Sequence, residues 1–166
     1  MTATDDLIMI AYDGSDNADR AIDWAGRIWA GRGAVVVTAW ETALHQTARM
    51  SSMSGMQPVF GTALDSETDQ LLRIEAGTLN DRGVERAAAC GLRSRGHLVE
   101  VTGTVWGALI DVADEIDADV LVTGTRGATG LRALMRSSVA EQVLKHCSRP
   151  VLVVPARCTG PGTPVT

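Results

Sequence analysis

The chain has 166 residues, enough for one domain with a sizeable apolar core and no need of disulfides or a structural metal. Hydrophobic residues make up 45% of it and aromatics only 4%, so the core is expected to consist mainly of Val, Leu, Ile and Ala, as in a buried parallel sheet covered by helices. Twenty acidic side chains against 15 basic ones, a formal net charge of −5, argue against a nucleic-acid binder that works by broad phosphate neutralisation. A small anionic ligand at one local basic spot remains open.

No apolar run approaches the ~20 residues of a membrane span. Residues 1–6 are polar and acidic, without the charged-then-apolar order of a signal peptide, so a cytoplasmic protein is expected. Cys90, Cys147 and Cys158 show no metal-ligand spacing, which speaks against a zinc site or a disulfide framework. His45, His97 and His146 form no HExxH motif and no recognisable triad spacing.

In chain order, residues 7–12 form a short apolar run stopped by Asp13-Gly14-Ser15, which predicts a buried strand and a turn. Ser15 can cap a helix with apolar positions Ala18, Ala21, Ile22, Ala25 and Ile28, ended by Gly31 and Gly33. Residues 34–40 predict a second buried strand. Residues 41–64 lack a clean period and contain Met50, Met53 and Met56, so a long mobile loop is expected there. A helical pattern through Leu71, Leu72, Ile74, Leu79, Val84 and Ala88 spans about 66–92, with Gly77 and Gly83 as candidate bends.

A third strand is expected from His97, its alternation suggesting an edge. A helix follows over 105–116, with Leu109, Val112, Ala113 and Ile116 on one face. Residues 118–123 predict the fourth strand, 138–147 the last helix, and 150–155 a fifth strand that its bracketing prolines confine to an edge. The Gly/Pro/Thr-rich stretch 156–166 predicts a disordered tail. Strand and helix alternate throughout, the signature of an α/β domain with a parallel sheet and right-handed crossovers, taken as one domain over 1–166.

The fourth strand runs into Gly124-Thr-Arg-Gly127-Ala-Thr-Gly130, and a serine pair, Ser137 and Ser138, precedes the last helix at Val139. Closely spaced glycines between a strand and a helix start can turn several backbone N–H groups toward an anion, the phosphate arm of a nucleotide above all. Residues 124–138 also hold Arg126, Arg132 and Arg136 and no Asp or Glu. The alternative is a solvated loop whose arginines only face water. Trp40 and Trp106 are candidates for stacking on a base or for plain packing.

These features resemble the universal stress protein family over almost all of 7–155. Gly124 and Gly127 match the first glycines of the family's nucleotide-binding pattern, Ala128 to Arg136 its nine-residue spacer, and Ser138 its final hydroxyl; Ser137 stands where the third glycine belongs. The opening Ile8-Met-Ile-Ala-Tyr-Asp13-Gly14-Ser15 and the closing Ser148-Arg149-Pro150-Val-Leu-Val-Val154 are also similar to the family's first and last strands. The resemblance implies an open five-stranded parallel sheet in the order 3-2-1-4-5 with helices on both faces, usually in a dimer. Some members bind ATP and others do not.

Carried over, Asp13 is expected near the ribose or a metal-phosphate unit, and the backbone around Ala39 near the adenine. The backbone of Gly124, Gly127 and Gly130 is expected at ribose and phosphates, and Ser137, Ser138 and Val139 at the helix start that meets the phosphates. Each has a plainer role open to it: Asp13 at a helix start, Gly130 in a turn, Ser138 as a cap. The resulting expectation is an ATP-binding stress-response regulatory module, with Mg accompanying the nucleotide. Hydrolysis is expected to be slow or absent, since the P-loop lysine motif is missing and no residue reads as a dedicated base. The alternative is a nucleotide-free dimeric regulatory or scaffold module, favoured by Ser137. A homodimer through Pro150 to Val154 is expected because that apolar edge strand offers unpaired backbone groups to a second copy.

Overall fold

The computed structural model describes residues 7–46, 66–125 and 139–158. The elements are β1 (Leu7–Ala11), α1 (Asp16–Trp29), β2 (Gly33–Trp40), α2 (Ser66–Ala89), β3 (Arg93–Glu100), α3 (Val105–Glu115), β4 (Val120–Gly124), α4 (Val139–His146) and β5 (Val151–Val154). The strands form one parallel sheet in the order β3-β2-β1-β4-β5: the alternation of elements predicts the parallel sheet, and the family resemblance implies its order.

Burial on both faces explains why β1 and β2 read as continuous apolar runs. Ile8, Ile10 and Val36 pack with Ala18, Ile22 and Ala25 of α1 and Ala87 of α2. Met9, Val35 and Val37 pack on the opposite face with Leu109 and Val112 of α3 and Val143 of α4. The first crossover starts as expected: Ser15 caps α1, its hydroxyl oxygen accepting from the Ala18 N–H at 3.2 Å. Gly31 ends this helix region with φ +82°, whereas Gly33 is already the first residue of β2. Ile28, expected on the buried stripe of α1, is 51% exposed; the last turn packs through Gly26 and Trp29 instead.

α2 departs most from its apolar pattern. Leu71 and Ile74 are exposed, and the buried face is Ala76, Asn80, Gly83 and Ala87, small or polar residues at helical spacing. Close approach selects them. A Cβ on Gly83 would stand 2.7 Å from Cδ1 of Tyr12. Asn80 is buried but satisfied, its Nδ2 donating to the Val36 carbonyl at 2.9 Å and to the Thr38 hydroxyl at 3.0 Å. Arg86 then clamps α2 to α1 with a two-pronged bond to Asp23 at 2.9 and 2.8 Å and a 3.5 Å contact with Asp19.

β3 begins at Arg93, four residues before the expected start, and pairs with β2 from Gly33↔Arg93 to Trp40↔Glu100. The early half escaped hydropathy because Arg93 and Arg95 lie exposed on an edge strand, where backbone pairing needs no apolar side chains. Residues 43–46 are helical rather than loop: Thr42 Oγ1 accepts from the His45 N–H at 3.3 Å, and Asp69 of α2 accepts from the Ala43 N–H at 2.8 Å. Residues 47–64 of the expected mobile loop lie outside the described residues. Of the expected tail, residues 156–158 are tied down, the Ala156 N–H donating to Thr125 Oγ1 at 2.9 Å and Cys158 packing on the core; residues 159–166 lie outside the described residues.

Candidate functional site at the carboxyl ends of the strands

The site is built by the turn that follows β1. The Tyr12 N–H still donates to the Val37 carbonyl at 2.8 Å, after which Gly14 reverses the chain at φ +74°. The positive φ favours glycine there, and a Cβ would also meet Leu79 Cδ1 at 2.4 Å, so that side chain would have to shift. Asp13 Oδ1 accepts from the Ser15 N–H at 3.1 Å, so the carboxylate is pinned beside the start of α1 while remaining exposed. Tyr12 is buried beneath the turn and donates its hydroxyl to Asp19 at 3.0 Å. Burial first, then the bond to Asp19 and that carboxylate's charge, push the Tyr12 phenol above its ordinary range.

A cleft of about 490 Å³ opens between this turn and the ends of β2 and β4. Its walls include Asp13 and Ser15, Ala39 to Glu41 after β2, Thr123 and Gly124 at the end of β4, and Val139 and Ala140 at the start of α4. Val37, Val101 and Leu109 give it an apolar side. Among the described lining residues the charged ones are Asp13 and Glu41, and none is basic. This is the crevice at the point where strand order reverses, between β1's two neighbours β2 and β4, where open α/β sheets bind their ligands.

Four of the candidate residues thus meet around one cavity: Asp13, Ala39, Gly124 and Val139. Gly127, Gly130, Ser137 and Ser138 lie outside the described residues. Gly124 carries a packing duty the motif did not reveal, because a Cβ on it would stand 2.4 Å from the carbonyl oxygen of Asn17 in α1. Of the two tryptophans, Trp40 lines the cleft, whereas Trp106 stacks on His146 with ring centroids 4.8 Å apart and joins α3 to α4. Sequence reasoning passed over Tyr12, Glu41 and Gln46, all of which line the cleft. Glu41 was open to detection as the first residue after a strand whose carboxyl end faces the crevice. Among the described residues no group of three or more His, Cys, Asp or Glu side chains could hold a metal ion, and the three cysteines are free.

A parallel sheet in this order with a cleft at its switch point defines a doubly wound α/β protein. Within that class, the model of the universal stress protein family matches residues 6–155, and the chain belongs to this family. A universal stress protein of Thermus aquaticus is 30% identical over 149 residues, covering 89% of this chain and 96% of that one. Among solved structures, a universal stress protein in complex with cAMP has 25% identity and a TM-score of 0.60, covering 90% of this chain and 96% of that chain. The universal stress protein of Archaeoglobus fulgidus in complex with dAMP shares the fold at 22% identity and a TM-score of 0.60, covering 90% of this chain and 96% of that chain. No described helix is long and apolar enough to cross a membrane.

Proposed function

We propose that this protein is an ATP-binding stress-response regulatory module, cytoplasmic and homodimeric through Pro150 to Val154, in which the nucleotide is hydrolysed slowly or not at all. The observation that carries the reading is the convergence of Asp13, Ala39, Gly124 and Val139, from four separate parts of the chain, on one cleft of about 490 Å³. Family relatives with cAMP and dAMP in their structures support an adenine ligand. The apolar side formed by Val37, Val101 and Leu109 suits a purine, and the backbone around Ala39 offers the hydrogen bonds an adenine edge needs. Asp13 takes the ribose or the metal-phosphate unit. The phosphates fall to the backbone N–H groups of Gly124, Gly127 and Gly130 and to Ser137, Ser138 and Val139 at a helix start. A carboxylate beside a polyphosphate calls for a cation between them, which is the reason Mg enters the reading.

The nucleotide-free regulatory or scaffold module is the second reading. It is favoured by the acidic character of the described cleft lining, whose charged residues are Asp13 and Glu41, and by Ser137 at the third motif glycine. Native mass spectrometry of freshly purified protein separates the two. A dimer carrying two adenine nucleotides supports the first; a bare dimer, unchanged by added Mg-ATP, supports the second.

A further inference from the structure

Arg20 follows Asn17 by three residues on α1, so the two are neighbours on the helix surface. Helical side chains lean toward the N-terminus of their helix, and this one follows that direction, its terminal nitrogen donating to Oδ1 of Asn17. The Asn17 carbonyl in turn abuts Gly124. The guanidinium is thereby carried toward the end of the sheet where Gly124 borders the cleft.

Its bonding is incomplete. Nε is buried and has no hydrogen-bond partner among the described residues, although a guanidinium carries five N–H donors and a buried donor left unpaired is costly. Arg20 bonds to Asn17 rather than to Asp16, the carboxylate at helical ion-pair spacing. The remaining carboxylates of α1, Asp19 and Asp23, are engaged by Arg86. A cation bonded to Asn17, which in turn abuts Gly124 of a cleft whose described lining contains no basic side chain, is suited to an anion that extends out of that cleft.

We propose that Arg20 binds a phosphate beyond the first of a nucleoside polyphosphate, and so sets a preference for ATP over adenine monophosphates. The inference rests on the nucleotide reading above and deepens it. Arg20 is not among the residues that line the cleft, so only a ligand reaching past Gly124 can meet it, and AMP or cAMP would end short of it. The planar fork favours bidentate contact with phosphate oxygens, which lysine cannot reproduce.

Calorimetric titration of the full chain with Mg-ATP, AMP and cAMP, in wild type, Arg20→Met and Arg20→Lys, tests this. Arg20→Met is expected to weaken ATP about ten- to a hundredfold and to leave AMP and cAMP within about threefold, with Arg20→Lys in between. Equal losses for all three ligands, or none, would overturn the inference while leaving the nucleotide reading intact. A lowered melting temperature in Arg20→Met with unchanged selectivity would likewise assign Arg20 to the fold. A wild type that binds none of the three removes the nucleotide reading and this inference with it.

Discussion

The ring of Tyr12 rests directly on Gly83, so close that a Cβ at that helix position would stand 2.7 Å from Cδ1 and 2.9 Å from Cε1. This contact joins the floor of the cleft to the middle of α2. It also sets the sign of a substitution that helix propensity alone would get wrong, since glycine inside a helix ordinarily costs about 1 kcal/mol relative to alanine. Gly83→Ala is expected to destabilise the protein by about 1–3 kcal/mol through overpacking. Gly77→Ala, six residues earlier, meets only Leu98 Cδ1 at 3.9 Å and is expected to stabilise by about 0.5–1 kcal/mol. Urea unfolding of the two variants, measured side by side, checks the opposite signs.

Tyr12 makes stability fall in alkaline solution. Its folded pKa is raised, so above the unfolded value of about 10 the folded state holds the proton that the unfolded state has released, and stability declines as pH rises from there toward the folded pKa. Below about pH 10 the contribution is fully present. Because Tyr12 is the chain's single tyrosine, phenolate absorbance follows this group alone. Tyr12→Phe is expected to flatten the dependence above pH 10; an equally steep decline in that variant would assign it to other groups.

Gly124 is expected to matter in the absence of any ligand. The Asn17 carbonyl oxygen leaves no room for a Cβ, and backbone cannot yield as a flexible side chain would. Gly124→Ala should therefore cost about 1–3 kcal/mol in denaturant titrations of nucleotide-free protein. A neutral result would leave a ligand contact as its reason for being glycine.

The glycine loop is expected to govern nucleotide affinity. On the nucleotide reading proposed above, Ser138→Ala is expected to lose a charged hydrogen bond worth roughly 1.5–3 kcal/mol, about ten- to a hundredfold in Mg-ATP affinity, and Gly127→Val to weaken binding by hindering backbone approach. Ser137→Gly should change affinity by less than about tenfold, because serine is a preferred residue at helix starts. Calorimetry on the three variants decides; a silent wild type that acquires tight binding as Ser137→Gly would favour the nucleotide-free module.

β5 lies at the edge of the sheet and pairs only with β4 among the described strands. Val151, Leu152 and Val153 are only partly buried, so a second copy pairing there would cover apolar surface as well as backbone groups. Val153→Lys is expected to yield monomer in sedimentation velocity runs. A dimer of unaltered affinity would move the interface elsewhere.

Element type and order were readable wherever burial on both faces left an unbroken apolar run, as at residues 7–11 and 33–40, or where a cap and a helical period coincided, as at Ser15 and Ala18. Reading failed where contacts rather than hydropathy set the structure. The buried face of α2 is made of Ala76, Asn80, Gly83 and Ala87, while its most apolar residues, Leu71 and Ile74, face outward. The exposed start of β3 escaped for the same reason.

The sequence by itself determined the alternation of strands and helices, the turn at Asp13-Gly14-Ser15 and the family, because these depend on local spacing and on residues with special backbone demands. Tertiary structure alone decided that Tyr12, Glu41 and Gln46 share a cleft with Asp13, Ala39, Gly124 and Val139, and that Asn17 holds Gly124 to glycine. The physical reason is that parallel crossovers bring together chain segments dozens of residues apart, and the side chain chosen at each meeting point answers to a neighbour that local pattern cannot see.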